Sequence, residues 1–286
     1  MQPSDPPRAE IAVTDEEVRR LCDFLYRHTG IMLADNKRYF IDRRLAERIA
    51  ATDSTSFQDY FATLRADADR EVEYLINSFT VNETYFYRED HQFRCLTLSL
   101  LGRLLPRKRP GDPLRIWSVP CSTGEEPYSI AIWLLENWDK VDTYGIEIIG
   151  SDIDTGVLHE AEAAIYGERA LMRLSRDLVR RYFEELGDGR YRLVPALASS
   201  IQFTRANIID PRQTGLHRGF DVIFCRNILM YFDDASRRVA AENLYESLVP
   251  GGYICLGHTE SMSRISSLFD VCRFDDAIVY QRPERG

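Results

Sequence analysis

The sequence predicts a doubly wound α/β domain preceded by an all-helical domain, and three observations carry that expectation. Apolar residues recur at helical spacing through the first 80 positions, with no convincing strand among them. From residue 111 onward short apolar strands alternate with helices, which places a mostly parallel sheet between two helical layers. The first of these strands runs directly into a turn of small residues, where folds of this kind hold their ligands. The 286 residues also exceed the roughly 150 of one ordinary domain.

Residues 1–13 are Pro-rich and polar and are expected to form a mobile tail. Thr14, followed by Asp15, Glu16 and Glu17, reads as a helix N-cap with an acidic first turn. Val18, Leu21, Cys22, Leu25 and Tyr26 then keep helical spacing to about His28, and Gly30 supplies a stop. A second helix is expected from Lys37 to about Ala50. Two shorter ones follow, through Phe57, Tyr60, Phe61 and Leu64, and through Val72, Leu75, Ile76 and Phe79. Residues 14–80 therefore read as a helical domain, and 81–110 as a linker helix ending in the punctuated basic stretch from Pro106 to Pro110.

In residues 111–286 the first strand is Leu114 to Val119, followed by a helix from Pro127 to about Trp138. Ile146 to Gly150 is the second strand, ending at Ser151-Asp152, with a helix from about Thr155. Further strands are expected at Ile201 to Phe203, Phe220 to Cys225, Tyr253 to Leu256, Val271 to Phe274 and Ile278 to Gln281. Between the second strand of the domain and the third, Ile201 to Phe203, the turn Gly187-Asp188-Gly189 precedes the alternating Tyr191-Arg192-Leu193-Val194. A small antiparallel element is expected there, over about 178–200.

Composition narrows the function. With 28% charged and 11% aromatic residues the chain can bury a core, which excludes global disorder. No apolar run approaches the roughly 20 residues of a membrane span, and no basic patch leads into an apolar stretch at the N-terminus; a cytoplasmic protein is expected. The six cysteines are scattered without a Cys-x-x-Cys pair, and the histidines show no ligand spacing, so neither disulfides nor a metal site is expected. A net charge of −9 repels polyanions and argues against nucleic acid as partner.

The residues that carry chemistry begin at the first turn, Pro120-Cys121-Ser122-Thr123-Gly124-Glu125-Glu126. Small residues let a ligand approach the backbone, and the following helix turns its N-terminal amides toward it. Asp152, at the end of the next strand, can accept both hydroxyls of a ribose. Neither Gly-x-Gly-x-x-Gly nor a Gly-x-x-x-x-Gly-Lys-Ser/Thr loop is present, which disfavours NAD and ATP. Glu125 and Glu126 would repel a pyrophosphate but suit a ligand bearing ammonium and sulfonium groups, as S-adenosylmethionine does. Taken alone, the two glutamates equally complement a helix N-terminus.

Five stretches then resemble a known family: NETYFYRE (82–89), CSTGEEPYS (121–129), SDID (151–154), FDVIFCRNILMYFD (220–233) and GGYICLGHTE (251–260). They are similar to those of CheR-type chemotaxis-receptor glutamate methyltransferases, over about residues 14–282. The resemblance implies a Rossmann-like α/β domain with a small antiparallel β insertion, behind an all-α N-terminal domain. It implies S-adenosylmethionine as cofactor, S-adenosylhomocysteine as product, and glutamyl methyl esters on chemoreceptors as the outcome. It places Asn82, Thr84 and Arg88 at the cofactor, Glu126 at its methionyl part, Asp152 on the ribose, and Asn207 with Ile208 beside the adenine. Cys225, Arg226 and Asn227 would close the pocket near the methyl group. Arg88 and Tyr231 would orient the reacting groups. Pro120 stands where the family commonly has a small residue, which removes one amide donor from the turn.

Across residues 19–48 there are eight Lys or Arg against four Asp or Glu, and Lys37, Arg44 and Arg48 fall on one helical face. Receptor methylation helices are acidic, so this face is the expected docking surface. In the family the small β element can hold a tethering peptide from a receptor C-terminus; the short turn here points to an enzyme that does not need it. A monomer that neither binds nucleic acid nor inserts in a membrane is the plain expectation. His258 reads as a structural residue at a strand end. Two other functions remain open: methylation of a different signalling protein, and a non-catalytic module that binds the cofactor.

Overall fold

The computed structural model describes residues 13–33, 37–66, 70–109 and 111–284, so most of the expected N-terminal tail lies outside the described residues. The chain divides between Thr80 and Val81 into two compact units.

The first unit consists of helices α1 (Asp15–Thr29), α2 (Arg38–Ala51), α3 (Phe57–Ala66) and α4 (Arg70–Phe79). The expected N-cap forms as a capping box: the Thr14 hydroxyl accepts from the Glu17 amide, and the Glu17 carboxylate accepts from the Thr14 amide at 2.9 Å. Val18, Leu21 and Leu25 of α1, Ile41, Leu45 and Ile49 of α2, and the aromatic and aliphatic stripes of α3 and α4 are buried. That i, i+4, i+8 spacing on α2 is what makes one side of a helix apolar.

The basic stripe beside this apolar one differs from the sequence expectation. Arg48 does not join an open basic face. It forms a two-pronged ion pair with Glu71 of α4, at 3.0 and 2.5 Å, and its side chain is only 18% exposed. Tyr60 donates to the same carboxylate at 2.9 Å. A carboxylate buried among helices needs a cation beside it, and Arg48 supplies it. Arg44 is half-exposed, donates to Glu47 at 3.1 Å and lies over the Phe40 ring; Lys37 is exposed at the start of α2.

The second unit opens with an irregular segment, followed by a helix in three consecutive pieces: α5 (His91–Cys95), a π turn (Leu96–Leu100) and α6 (Leu101–Leu104). The segment NETYFYRE, expected on a helix, is not helical. Tyr87 and Glu89 have φ of 60° and 55°. The amides of Phe86 and Tyr87 go to the Ala170 carbonyl at 2.9 Å and the Ser129 hydroxyl at 3.0 Å. Tertiary partners thus take the donors a helix would have used internally.

The remaining elements follow in order: β1 (Leu114–Ser118), α7 (Glu125–Asn137), β2 (Ile146–Asp152), α8 (Thr155–Ala163), β3 (Ile165–Gly167), α9 (Glu168–Leu171), α10 (Arg176–Tyr182), β4 (Phe183–Gly187), β5 (Arg190–Leu193) and α11 (Pro195–Ala198). Then come β6 (Ile201–Arg205), α12 (Pro211–Thr214), β7 (Phe220–Cys225), α13 (Asp234–Ser247), β8 (Leu248–Leu256), β9 (Asp270–Arg273) and β10 (Ile278–Gln281). The large sheet has the order β6-β2-β1-β7-β8-β10-β9. The strands from β6 to β8 pair in parallel, and β10 pairs antiparallel with β8 and β9.

This order sets the place of the site. From β1 the chain winds through β2 to β6 on one side, and then through β7 and β8 on the other. The reversal leaves a crevice beyond the carboxyl end of β1, where open α/β sheets take their ligands. Beneath it β7 is buried along its whole length.

The small antiparallel sheet has the order β3-β5-β4. Its third strand, Ile165–Gly167, pairs with β5 and lies ahead of the expected 178–200 span. Three residues cannot display an alternating pattern, so only pairing reveals this strand.

Candidate active site

The turn after β1 is built around close approach. Gly124 precedes α7 with φ of 92°, and a Cβ there would lie 2.9 Å from the Ala161 Cβ and 3.2 Å from the Tyr128 ring. Only glycine provides both this backbone and this space. Ser122, at φ 49°, donates its amide to Asp152 Oδ2 at 2.8 Å. The other Asp152 oxygen accepts from the Asp154 amide at 3.0 Å. Burial pushes the Asp152 carboxyl up to about 6, against these amides.

Asp154 caps α8 through the amides of Gly156 and Val157. Its second oxygen accepts from Asn82 Nδ2 at 2.9 Å, which ties the start of NETYFYRE to the end of β2. Asn207 and Ile208 lie just beyond β6 and are buried. The Asn207 amide donates to Gln213 Oε1 at 3.0 Å, and Asn243 donates to the Ile208 carbonyl at 2.9 Å.

Arg226, directly after β7, holds the centre. Its side chain is 3% exposed; it reaches Glu126 at 2.6 Å and Glu89 at 3.3 Å, and donates to the Arg88 carbonyl at 2.7 Å. Glu126 accepts also from the Ser118 hydroxyl at 2.8 Å. Glu89 meets His258 Nδ1 at 3.0 Å and accepts from Gln92 at 3.1 Å. One buried guanidinium thereby joins the NETYFYRE segment, the start of α7 and the end of β7. Burial raises the Glu126 carboxyl above its ordinary range despite Arg226. At Glu89 burial acts in the same direction, but Arg226 and His258 outweigh it and hold the carboxyl low.

The sequence-derived residues are thus distributed as follows. Asn82, Arg88, Glu126, Asp152, Cys225, Arg226 and Asn227 lie on the segments this bonded framework connects. The Arg88 side chain donates to the Glu83 carbonyl and lies over the Tyr85 ring at 5.8 Å. Thr84 sits between Asn82 and Arg88, half-buried. Tyr231 ends a 3-10 turn (Leu229–Tyr231) and is half-buried. Burial pushes the Cys121 and Cys225 thiols well up, so neither is a thiolate at neutral pH.

Sequence reasoning passed over Glu89, Glu260 and Ser118. Glu89 and Glu260 were within quoted motifs; their roles are contacts across 137 and 33 positions of chain (89 to 226, and 227 to 260), which spacing does not encode. His258 does stand at the end of β8, bonded to Glu89.

The donor set fits a cationic adenosine ligand. Buried carboxylates outnumber the single buried guanidinium around the turn, and the buried Ser122 hydroxyl has no hydrogen-bond partner among the described residues. No group of three or more His, Cys, Asp or Glu side chains suited to a metal occurs among them. No described helix is long and apolar enough to cross a membrane.

Two family models match the chain: "CheR methyltransferase, all-alpha domain" over residues 16–80 and "CheR methyltransferase, SAM binding domain" over 82–278. A "Chemotaxis protein methyltransferase 2" of Vibrio cholerae is 47% identical over 278 residues, covering 97% of this chain and 96% of the relative. A protein of the same printed name from Pseudomonas aeruginosa is 36% identical, covering 91% of each chain. A "Chemotaxis protein methyltransferase" of Salmonella typhimurium is 35% identical, covering 91% of this chain and 89% of the relative.

Proposed function

The chain belongs to the CheR methyltransferase family, with S-adenosylmethionine as cofactor, and from that premise we propose that it methylates glutamate side chains on the cytoplasmic methylation helices of chemoreceptors. The observation that carries the reading is the match along nearly the whole chain, helical unit included, to proteins named chemotaxis protein methyltransferases. The products are glutamyl methyl esters and S-adenosylhomocysteine.

When bound, the cofactor supplies an electrophilic methyl group on a sulfonium. A glutamate carboxylate, with a reference pKa of about 4.3, is already ionised at neutral pH, so the acceptor needs no general base. The chain's residues have to bind, orient and exclude water. Asp152 would hold the ribose hydroxyls, Asn207 and Ile208 the adenine, and Glu126 the methionyl part, with Asn82, Thr84 and Arg88 also against the cofactor. Cys225, Arg226 and Asn227 would close the pocket. Tyr231 donates to the acceptor carboxylate, and Arg88 orients charge beside it. Lys37 and Arg44 remain as the basic contacts for an acidic receptor helix.

Incubation of the purified chain with a chemoreceptor cytoplasmic fragment and methyl-labelled cofactor tests the reading. Base-labile label on glutamates, located by mass spectrometry, is expected. Label confined to other proteins or residues overturns the acceptor assignment.

The buried Asp152 adds a pH dependence. Hydroxyls donating to its carboxylate favour the ionised form, so binding draws its pKa below about 6 and releases a proton. Affinity for S-adenosylhomocysteine is expected to weaken about fourfold from about pH 7.5 to about pH 5.5. Calorimetry in buffers of different ionisation heat reads both effects; equal affinity across that range and no proton release would contradict the ribose role.

A further inference from the structure

Glu260 is bonded entirely to backbone. Its Oε2 accepts the amides of Asn227 and Gly257, both at 2.9 Å, and its Oε1 accepts the amide of Leu229 at 2.7 Å. One carboxylate therefore ties the loop after β8 to the loop after β7. The loop after β7 is the one that carries Asn227 and Tyr231.

Two features show how closely the loops interlock. A Cβ on Gly257 would lie 2.6 Å from Asn227 Nδ2, 3.0 Å from the Asn227 amide nitrogen and 3.0 Å from Glu260 Oε2. Asn227 itself has φ of 60°, in the left-handed region that glycine favours and that asparagine tolerates better than most other residues. Such a backbone persists where its surroundings over-determine it, and here a charge-assisted hydrogen bond takes its amide. On the other side of the turn, Arg237 donates to the Leu229 carbonyl at 2.8 Å. The 3-10 turn that ends in Tyr231 is gripped at Leu229 through both its amide and its carbonyl.

We infer that Glu260 is a positioning residue for the transfer reaction, acting through Leu229 on Tyr231 and through Asn227 on the cofactor pocket. The two carboxylate oxygens divide these tasks. Oε2 serves Asn227 and Gly257; Oε1 serves the turn toward Tyr231. The inference rests on the acceptor chemistry proposed above.

Glu260→Gln separates the tasks, because the amide oxygen can keep the Asn227 and Gly257 hydrogen bonds while the NH2 group cannot accept from Leu229. Its affinity for S-adenosylhomocysteine is expected to stay within about threefold of the parent, while kcat on the receptor fragment falls about 30-fold or more. Glu260→Ala is expected to weaken both. The far-ultraviolet circular dichroism of each variant identifies any that does not fold, and Glu260→Asp, which retains both acceptors on a shorter stem, is expected to recover part of kcat. Parental kcat in Glu260→Gln, equal losses of affinity and kcat, or no recovery in Glu260→Asp would overturn the inference. A parent chain inactive on every receptor fragment would overturn the acceptor reading, and this inference with it; an active parent confines any failure to Glu260.

Discussion

Arg226→Met is expected to destabilise the protein by about 3–5 kcal/mol at neutral pH and to abolish methyl transfer. Methionine preserves much of the stem packing but leaves Glu126 and Glu89 without the cation between them. The pair then behaves as two buried carboxylates side by side, and both folded-state pKa values rise above those of the unfolded chain. A group whose folded pKa is raised loses stability as pH increases, because the unfolded chain releases the proton first. The defect is therefore expected to be largest near pH 8 and smaller near pH 5, roughly where the two carboxyls regain protons. Urea unfolding of parent and variant at both pH values measures this. A loss below about 1 kcal/mol, or one independent of pH, would show that the triad is not held by charge. The Arg88 carbonyl also loses its donor, which links this defect to the second prediction.

Arg88→Ala is expected to reduce methyl-ester formation at least about 100-fold while leaving the melting temperature within about 2 °C of the parent. The two outcomes separate because the residue acts through different atoms. Its carbonyl holds Arg226 and survives the substitution. Its guanidinium is partly exposed and, among the described residues, donates to the Glu83 carbonyl and stacks on Tyr85. Arg88→Lys retains the charge without the planar fork and is expected to fall between parent and Arg88→Ala. Tyr231→Phe removes only the phenolic donor and is expected to lower kcat with little change in cofactor affinity. Turnover of Arg88→Ala within threefold of the parent, measured with methyl-labelled cofactor on a receptor fragment, would remove Arg88 from the proposed machinery.

Most of the sheet was legible because a strand buried on both faces is read as a continuous apolar run, as Val222 to Cys225 is. The four helices of the first unit were legible for the same kind of reason: burial of one face imposes a 3.6-residue period, seen in Ile41, Leu45 and Ile49. The NETYFYRE segment was not legible as a non-helix. Its backbone donors are taken by Ala170 and Ser129, partners distant in the chain. Arg48 was likewise read as a surface charge, since helical spacing places it beside Arg44 but says nothing of Glu71.

By itself the sequence determined most of the elements, the acidic ligand turn, the family resemblance and the cofactor that resemblance implies. These depend on local patterns: periodicity, small residues after a strand, and motifs a few residues long. Only the tertiary structure decided how those motifs are bound to one another. Arg226 is shared between Glu126 and Glu89, Glu260 between two loops, and Asp154 between Asn82 and the start of α8. The physical reason is that a buried charge must be satisfied by whichever partner the fold brings within about 3 Å. The choice of that partner is made by strand order and loop closure, across separations that no local sequence pattern records.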